Sequence, residues 1–376
     1  MSYGAVGRAA LSGYGMIKRR RVGTMNVVEH GFRRFDQFQQ RHPALAIPIA
    51  VAQKFGNDQG GGKAVLIAYY GLFALFPLLL LMSTVLGYAL AGHPALQKHL
   101  LSSALANFPI IGSQLQNDAH TLKGSTLAIV VGVLGTLYGM QGLGQASVNA
   151  MNTVWNVPYK SWPNFFGRRL RGYLWLAVLG VATVSATTIA GFGTTWLHGP
   201  LAWLFTTAVA FVINLGVFFV IFKVLTAEPL GWRDIALGVV LATTFWEALQ
   251  TVGGYYVRNS LAHANATYGF FAIVIGLLSW LFVAAQLTLY AAEVNVVRRY
   301  HLWPRSLTQP PLTEADKETF RRLAMMEERR PEVQVTVAFT DDANRQPLDR
   351  AGKEPQPQDA PEVDQAPGPD AMTRPA

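Results

Sequence analysis

The sequence predicts an all-α polytopic membrane protein, with six transmembrane helices, both termini cytoplasmic, and interfacial helices ahead of the first span. Three observations carry that prediction. Of 376 residues, 51% are hydrophobic and 14% charged, whereas a soluble domain carries roughly 25% charged residues. Between Ala64 and Val297 the acidic residues are Asp118, Glu228, Asp234, Glu247 and Glu293 and no others. Six apolar runs, near 64–91, 125–150, 170–197, 201–225, 235–256 and 268–297, each reach the length of about 20 residues that a helix needs to cross a hydrocarbon core.

Ahead of the first span lies the region 1–63. Val28, Phe32, Phe35 and Phe38 fall near helical spacing with Arg33 and Arg34 beside them. Leu45, Ile49, Ala52 and Phe55 make a second stripe after Pro43, a good first-turn residue. Both stripes read as amphipathic helices lying in the cytoplasmic interface, basic side toward anionic headgroups. The alternative is a packed cytoplasmic subdomain. The first apolar run starts too late for a cleaved signal peptide and is expected to act as an uncleaved anchor.

Basic residues set the orientation. Lys18 to Arg21, Arg33, Arg34 and Lys54 precede the first span, and Lys160, Arg168, Arg169 and Arg171 separate the second from the third. Lys223 and Arg233 lie between the fourth and fifth, and Arg298, Arg299 and Arg305 follow the sixth. The opposite connections offer Lys98, Lys123 and Arg258. By the positive-inside rule both termini are cytoplasmic. The net charge of +9 is therefore a topology signal, and no nucleic-acid partner is expected. The chain has no cysteine, which excludes disulfides and thiolate metal sites.

Within the spans, glycine and polar side chains carry the information. In the first, Pro77 removes a backbone hydrogen bond and should kink the helix, a hinge candidate two turns after Tyr69 and Tyr70. In the second, GVLGTLYGMQGLGQASVNAMN (132–152) places Gly132, Gly135, Gly139 and Gly142 on one stripe at about 100° per residue. Such a stripe reads as a helix-packing seam in lipid. Gln141, Gln145, Asn149 and Asn152 fall on the stripe beside it. Asn149 and Asn152 approach the cytoplasmic interface, while Gln141 and Gln145 either line a polar cavity or hydrogen-bond between helices.

Glu247 stands near the middle of the fifth span, where an acid costs about 2.5–3.5 kcal/mol and is by default a functional-site hypothesis. Its structural alternative is an acid bonded to Asn214, Gln286 or a tyrosine. Glu293, with Arg298 and Arg299 just beyond, reads as a helix-end ion pair. Between the first two spans, 93–109 and 110–120 read as two short helices broken at Pro109. The region 301–376 is a cytoplasmic tail. TEAD (Thr313 to Asp316) is a capping box for a charged helix over 313–329, and the chain beyond about 340 is expected to be disordered.

Three stretches together resemble the YihY/BrkB family of bacterial inner-membrane proteins. They are AVLIAYYGLFALFPLLLL (64–81); NAMNTVWNVP (149–158) followed by RRLRG (168–172); and TFWEAL (244–249) with ATYGFFAIVIGLLSWLFVAAQLTLYAAEVN (266–295). The resemblance covers roughly residues 40–300. Gln286 and Thr288 depart from it where an apolar run is usual, and Ala291 stands where a glycine is expected.

The resemblance implies a six-span protein of the bacterial plasma membrane, in a family whose members often carry a ribonuclease label. The residues speak against that label. Metal-dependent hydrolysis needs acids or histidines converging on a cation, and the eight histidines are scattered with no pair at ligand spacing. No P-loop, nucleophile elbow or dinucleotide fingerprint occurs. The chain is therefore expected to be no enzyme and to need no cofactor or metal. The expected role is transport or handling of an amphiphilic envelope molecule such as a lipid, with Glu247, Gln141, Gln145, Asn214 and Gln286 as substrate-cavity candidates. Its expected partners are membrane lipids, including anionic headgroups, and a protein reached through the C-terminal tail. The alternative is a non-catalytic scaffold or envelope-assembly factor.

Overall fold

The computed structural model describes residues 31–89, 126–175, 177, 178, 181, 200–260, 269–309 and 311–339. The expectations for the 18–21 basic run, the two short helices at 93–120, most of the third span and the tail beyond 340 lie outside the described residues. Among the described residues the chain is all helical, with no strand.

A short helix, α1 (31–41), is followed by α2 (Pro43–Asn57), whose proline sits in the first turn, where its missing N–H costs nothing. Asp58 and Gln59 are the whole connection to α3 (Gly60–Ala89), and Gln59 takes a left-handed φ of 55°. Gly60 is required there, because a Cβ would sit 2.4 Å from the Phe55 ring.

The helix α4 (Thr126–Val154) ends in a Schellman motif. Asn156 adopts φ 49°, its N–H bonds the Thr153 carbonyl, and the Val157 N–H bonds the Asn152 carbonyl. A 3₁₀ turn over Tyr159–Ser161 leads to α5, which begins at 165 and is described to 175. Then come α6 (Pro200–Leu225), α7 (Trp232–Ser260), α8 (Gly269–Arg299) and α9 (Glu314–Met325).

The helices overrun the hydropathy runs, because caps rather than apolarity end them. Asp234 takes the Gly231 N–H at 2.8 Å and so starts α7 three residues before its apolar stretch. At α9 the capping box is present in full, with Thr313 and Asp316 exchanging side-chain and backbone bonds. Among the described residues, three stretches are long and apolar enough to cross a membrane: Leu204–Leu225, Trp232–Gly253 and Val274–Arg299.

Helix α8 is central and touches α2, α3, α4 and α7, while α3 runs along α4 and α6 along α7. A large apolar cluster around Trp155, Phe222, Ile235, Leu289 and Leu302 occupies the end bearing α2 and the 301–339 segment. A smaller cluster of Leu72, Leu75, Leu277 and Trp280 lies deeper. Large apolar side chains such as Leu134, Val212, Val252 and Phe271 face outward, the surface a lipid solvent requires.

The face that α2 buries differs from the stripe expected of it. Ala46, Ala50, Val51, Lys54 and Phe55 are buried, and of Leu45, Ile49, Ala52 and Phe55 the last alone is. The small residues let α2 lie close against α8, and Lys54 is drawn in by carboxylates described below. On α1, Phe32, Phe35 and Phe38 are exposed, whereas Asp36 and Gln39 are buried.

Asp36 gathers the turn after α8. It accepts the Leu307 N–H at 3.0 Å, the Thr308 hydroxyl at 2.9 Å and the Ser306 hydroxyl at 3.1 Å. Burial pushes its carboxyl up, but these donors with Gln39 and Gln40 outweigh burial and hold it at about 2. A second buried carboxylate, Asp316, pairs with Arg305 at 2.9 Å and takes the Ser306 N–H at 3.0 Å. The first part of the tail is thus tied to the bundle.

Candidate functional site

Helix α4 has three working faces. Met140, Leu143, Ser147 and Met151 recur at helical spacing along one wall of a cavity of about 280 Å³. Gly139 and Gly142 face α3, where an added Cβ would come within 2.6 Å of the Ala74 Cα and 2.3 Å of the Tyr70 ring. Gly144 meets Gly172 of α5, with 2.8 Å between an added Cβ and the opposing Cα. Of the glycine stripe, Gly139 and Gly142 lie against α3. Gly135 is half-buried, and the surroundings of Gly132 lie outside the described residues. Gly144 was missed because a contact with a helix further along the chain leaves no periodic trace in the second span alone.

The cavity's remaining walls come from α3 (Ala68, Gly71, Leu75), α5 (Trp175), α6 (Asn214, Phe218, Ile221), α7 (Trp246) and α8 (Trp280, Ala285, Thr288, Leu289). They are almost wholly apolar and aromatic, and Trp246 packs edge-on to Trp280 with centroids 5.3 Å apart. Thr288 spends its hydroxyl on the Ala284 carbonyl of its own helix at 2.8 Å. Asn214 is the polar exception of consequence. Its Nδ2 donates to Glu247 Oε1 at 2.8 Å, so one of the expected partners of Glu247 is the one it meets. With its NH₂ turned toward Glu247, the amide keeps its carbonyl oxygen as an acceptor.

Of the five residues expected to line a cavity, this lining includes Asn214 and omits Gln141, Gln145, Glu247 and Gln286. At 100° per residue, the stripe of Gln141 and Gln145 is turned well away from that of Met140, Leu143, Ser147 and Met151. Gln141, Gln145, Glu247 and Gln286 are each half-buried. Glu247 is linked to the cavity wall through Asn214. Asn152 was placed near water by sequence position, yet it is fully buried and accepts the Ala227 N–H at 2.7 Å beyond the end of α6. That bond ties the end of α4 to the connection after α6. Pro77 lies inside α3, in a stretch whose side chains fall outside the described residues; the helix continues through it to Ala89.

Just below the cavity sits a polar cluster that sequence reading did not find. Lys54 of α2 is fully buried, with its Nζ 2.5 Å from Asp58, 2.9 Å from Glu293 of α8 and 2.6 Å from the Val154 carbonyl that ends α4. Asn156 donates to the other oxygen of Asp58 at 3.2 Å. Burial alone would push the Lys54 ammonium down, but the Glu293 and Asp58 charges more than reverse this and hold its pKa above the ordinary lysine value.

Glu293 therefore does form an ion pair, but not with the arginines that follow it. Arg299 pairs with Asp234 instead, and Arg298 is exposed. On a helix, Glu293 points to a different side from either arginine, and that side faces α2. The one sequence clue was an acid in a stretch with almost no others.

Among the described residues, no group of three or more histidines or acids is placed to hold a metal ion.

A family model described as virulence factor BrkB matches residues 51–314. The chain is 26% identical to the inner membrane protein YhjD of Escherichia coli, over 72% of this chain and 87% of that protein. It is 25% identical to a UPF0761 membrane protein of Alkalilimnicola ehrlichii, over 66% of this chain and 57% of that protein. It is 24% identical to YfkH of Bacillus subtilis, named as ribonuclease-like, over 65% of this chain and 92% of that protein. No solved structure matches.

Proposed function

Because the chain belongs to the BrkB family and is a membrane protein, we propose that it binds and moves an amphiphilic envelope molecule, in particular a lipid, through the cavity between α3, α4, α6, α7 and α8. The observation that carries this reading is the cavity wall itself. A space lined by Leu75, Met140, Phe218, Trp246 and Trp280 suits an acyl chain, and the Asn214 carbonyl offers one acceptor for a hydroxyl or ammonium donor on the same molecule. Glu247 is a positioning residue in this scheme, since its bond to Asn214 sets which way the amide turns.

The frame for this activity is six spans with both termini cytoplasmic in a bacterial plasma membrane. The exposed Phe32, Phe35 and Phe38 with Arg33 and Arg34 lie in the headgroup region and gather anionic lipids. The protein acts without catalysis. Its natural lack of cysteine lets single introduced cysteines report the side of each connection directly.

Photolabelling of membranes with a photoactivatable phospholipid tests the proposal. Labelled peptides are expected from the cavity walls. Ala285→Trp, which fills the space, and Asn214→Leu, which removes the acceptor, are expected to lower labelling several-fold while the protein still accumulates and melts cooperatively. Labelling that is unchanged in both variants would refute the reading.

A further inference from the structure

We propose that Lys54, Asp58 and Glu293 form a proton-binding site, in which one exchangeable proton rides on Glu293. The argument starts from a charge count. The two carboxyls and one ammonium are all but sealed from solvent, so full ionisation would leave one uncompensated negative charge in a low-dielectric interior, which is strongly unfavourable.

The Lys54 ammonium has no further capacity. It hydrogen-bonds Asp58 Oδ2 and the Val154 carbonyl and forms an ion pair with Glu293 Oε2 at 2.9 Å. The carbonyl end of α4 adds partial negative charge to the same spot. Asp58 Oδ2 lies 2.5 Å and Glu293 Oε2 2.9 Å from the same Nζ, so two carboxyls converge on one ammonium. Beyond that ion pair, both Glu293 oxygens are buried without a hydrogen-bond donor among the described residues.

Among the described residues, no other packed element balances the count. From α3, Lys63 acts on Asp58 but is only half-buried, so water screens it. From the end of α4 come the Val154 carbonyl and the Asn156 amide, which satisfies the far oxygen of Asp58. The segment after α9 contributes the neutral Met326 thioether. The proton is therefore the counter-ion that the geometry lacks. The site also lies one helical turn from Met151 and Leu289 of the cavity wall.

The test uses the full-length protein in lipid nanodiscs, titrated from neutral to alkaline pH with infrared difference spectroscopy. In that range exposed carboxyls are already ionised, so a protonated C=O band that disappears reports a buried acid. The band is expected in the native protein and in Glu247→Gln, and lost in Glu293→Gln. A titration in Glu293→Gln that matches the native one would overturn the proposal. If Glu293→Gln fails to accumulate, ¹³C-glutamate labelling of Glu247→Gln decides. A titrating band that shifts with the label supports the site, and the absence of a label-sensitive band overturns it.

Discussion

Replacing Lys54 with methionine isolates what a buried charge contributes at the junction of α2, α4 and α8. Methionine keeps nearly the length and flexibility of the lysine stem, so packing is largely preserved while the ammonium goes. The native Nζ contacts Asp58 at 2.5 Å, Glu293 at 2.9 Å and the Val154 carbonyl at 2.6 Å. Without it two buried acids face each other across the negative end of α4. Removing one partner of a buried pair costs about 3–5 kcal/mol, at least about a hundredfold in the folded fraction.

Thermal unfolding of the purified protein should register this as a large drop in Tm. Adding Glu293→Gln should recover part of it, with a coupling of about 1 kcal/mol or more. The pH dependence has a definite sign. Because the Lys54 pKa is raised on folding, its stabilisation is fully present below the unfolded value of about 10.4 and is lost as pH rises through the folded value. The gap between native and Lys54→Met should thus stay constant near neutrality as far as Lys54 is concerned. A Lys54→Met protein that melts with the native one, or a strictly additive double variant, would refute the reasoning.

Two further predictions concern the seams and the cap. Gly139→Ala should cost about 1–3 kcal/mol, because its Cβ would stand 2.6 Å from the Ala74 Cα and backbone cannot yield; Gly216→Ala, with nothing within 4 Å, should melt like the native protein. Asp36→Ala strips the acceptor from Leu307, Thr308 and Ser306 at about 1–3 kcal/mol, and limited proteolysis should then cut near 305–310 sooner than in the native protein. Since the Asp36 carboxyl is held at about 2 against an ordinary 3.8, its contribution is present above about pH 4 and should fade as pH falls through about 2.

Much of the architecture was determined by the sequence alone. Composition implied a membrane protein, the fourth to sixth apolar runs fall on described helices long enough to cross a membrane, and Thr313 to Asp316 announced a capping box that the fold contains. Each of these is a local property: a helix's length, its period and its caps depend on residues within a turn or two. Even the bond between Asn214 and Glu247 was foreseeable as one of a few pairings, since an acid inside a span must find a donor. Only the tertiary structure decided the rest. Periodicity places Gln141 and Gln145 on a stripe but does not say which neighbour that stripe faces, and the cavity opened on the Met140 and Ser147 side instead. Lys54 read as one more interfacial base, and Glu293 as the partner of the next arginines. Their ion pair at 2.9 Å exists because α2 folds back onto α8, a contact between chain-distant segments. Burial strength and charge balance are properties of that contact, and no local pattern in either segment encodes them.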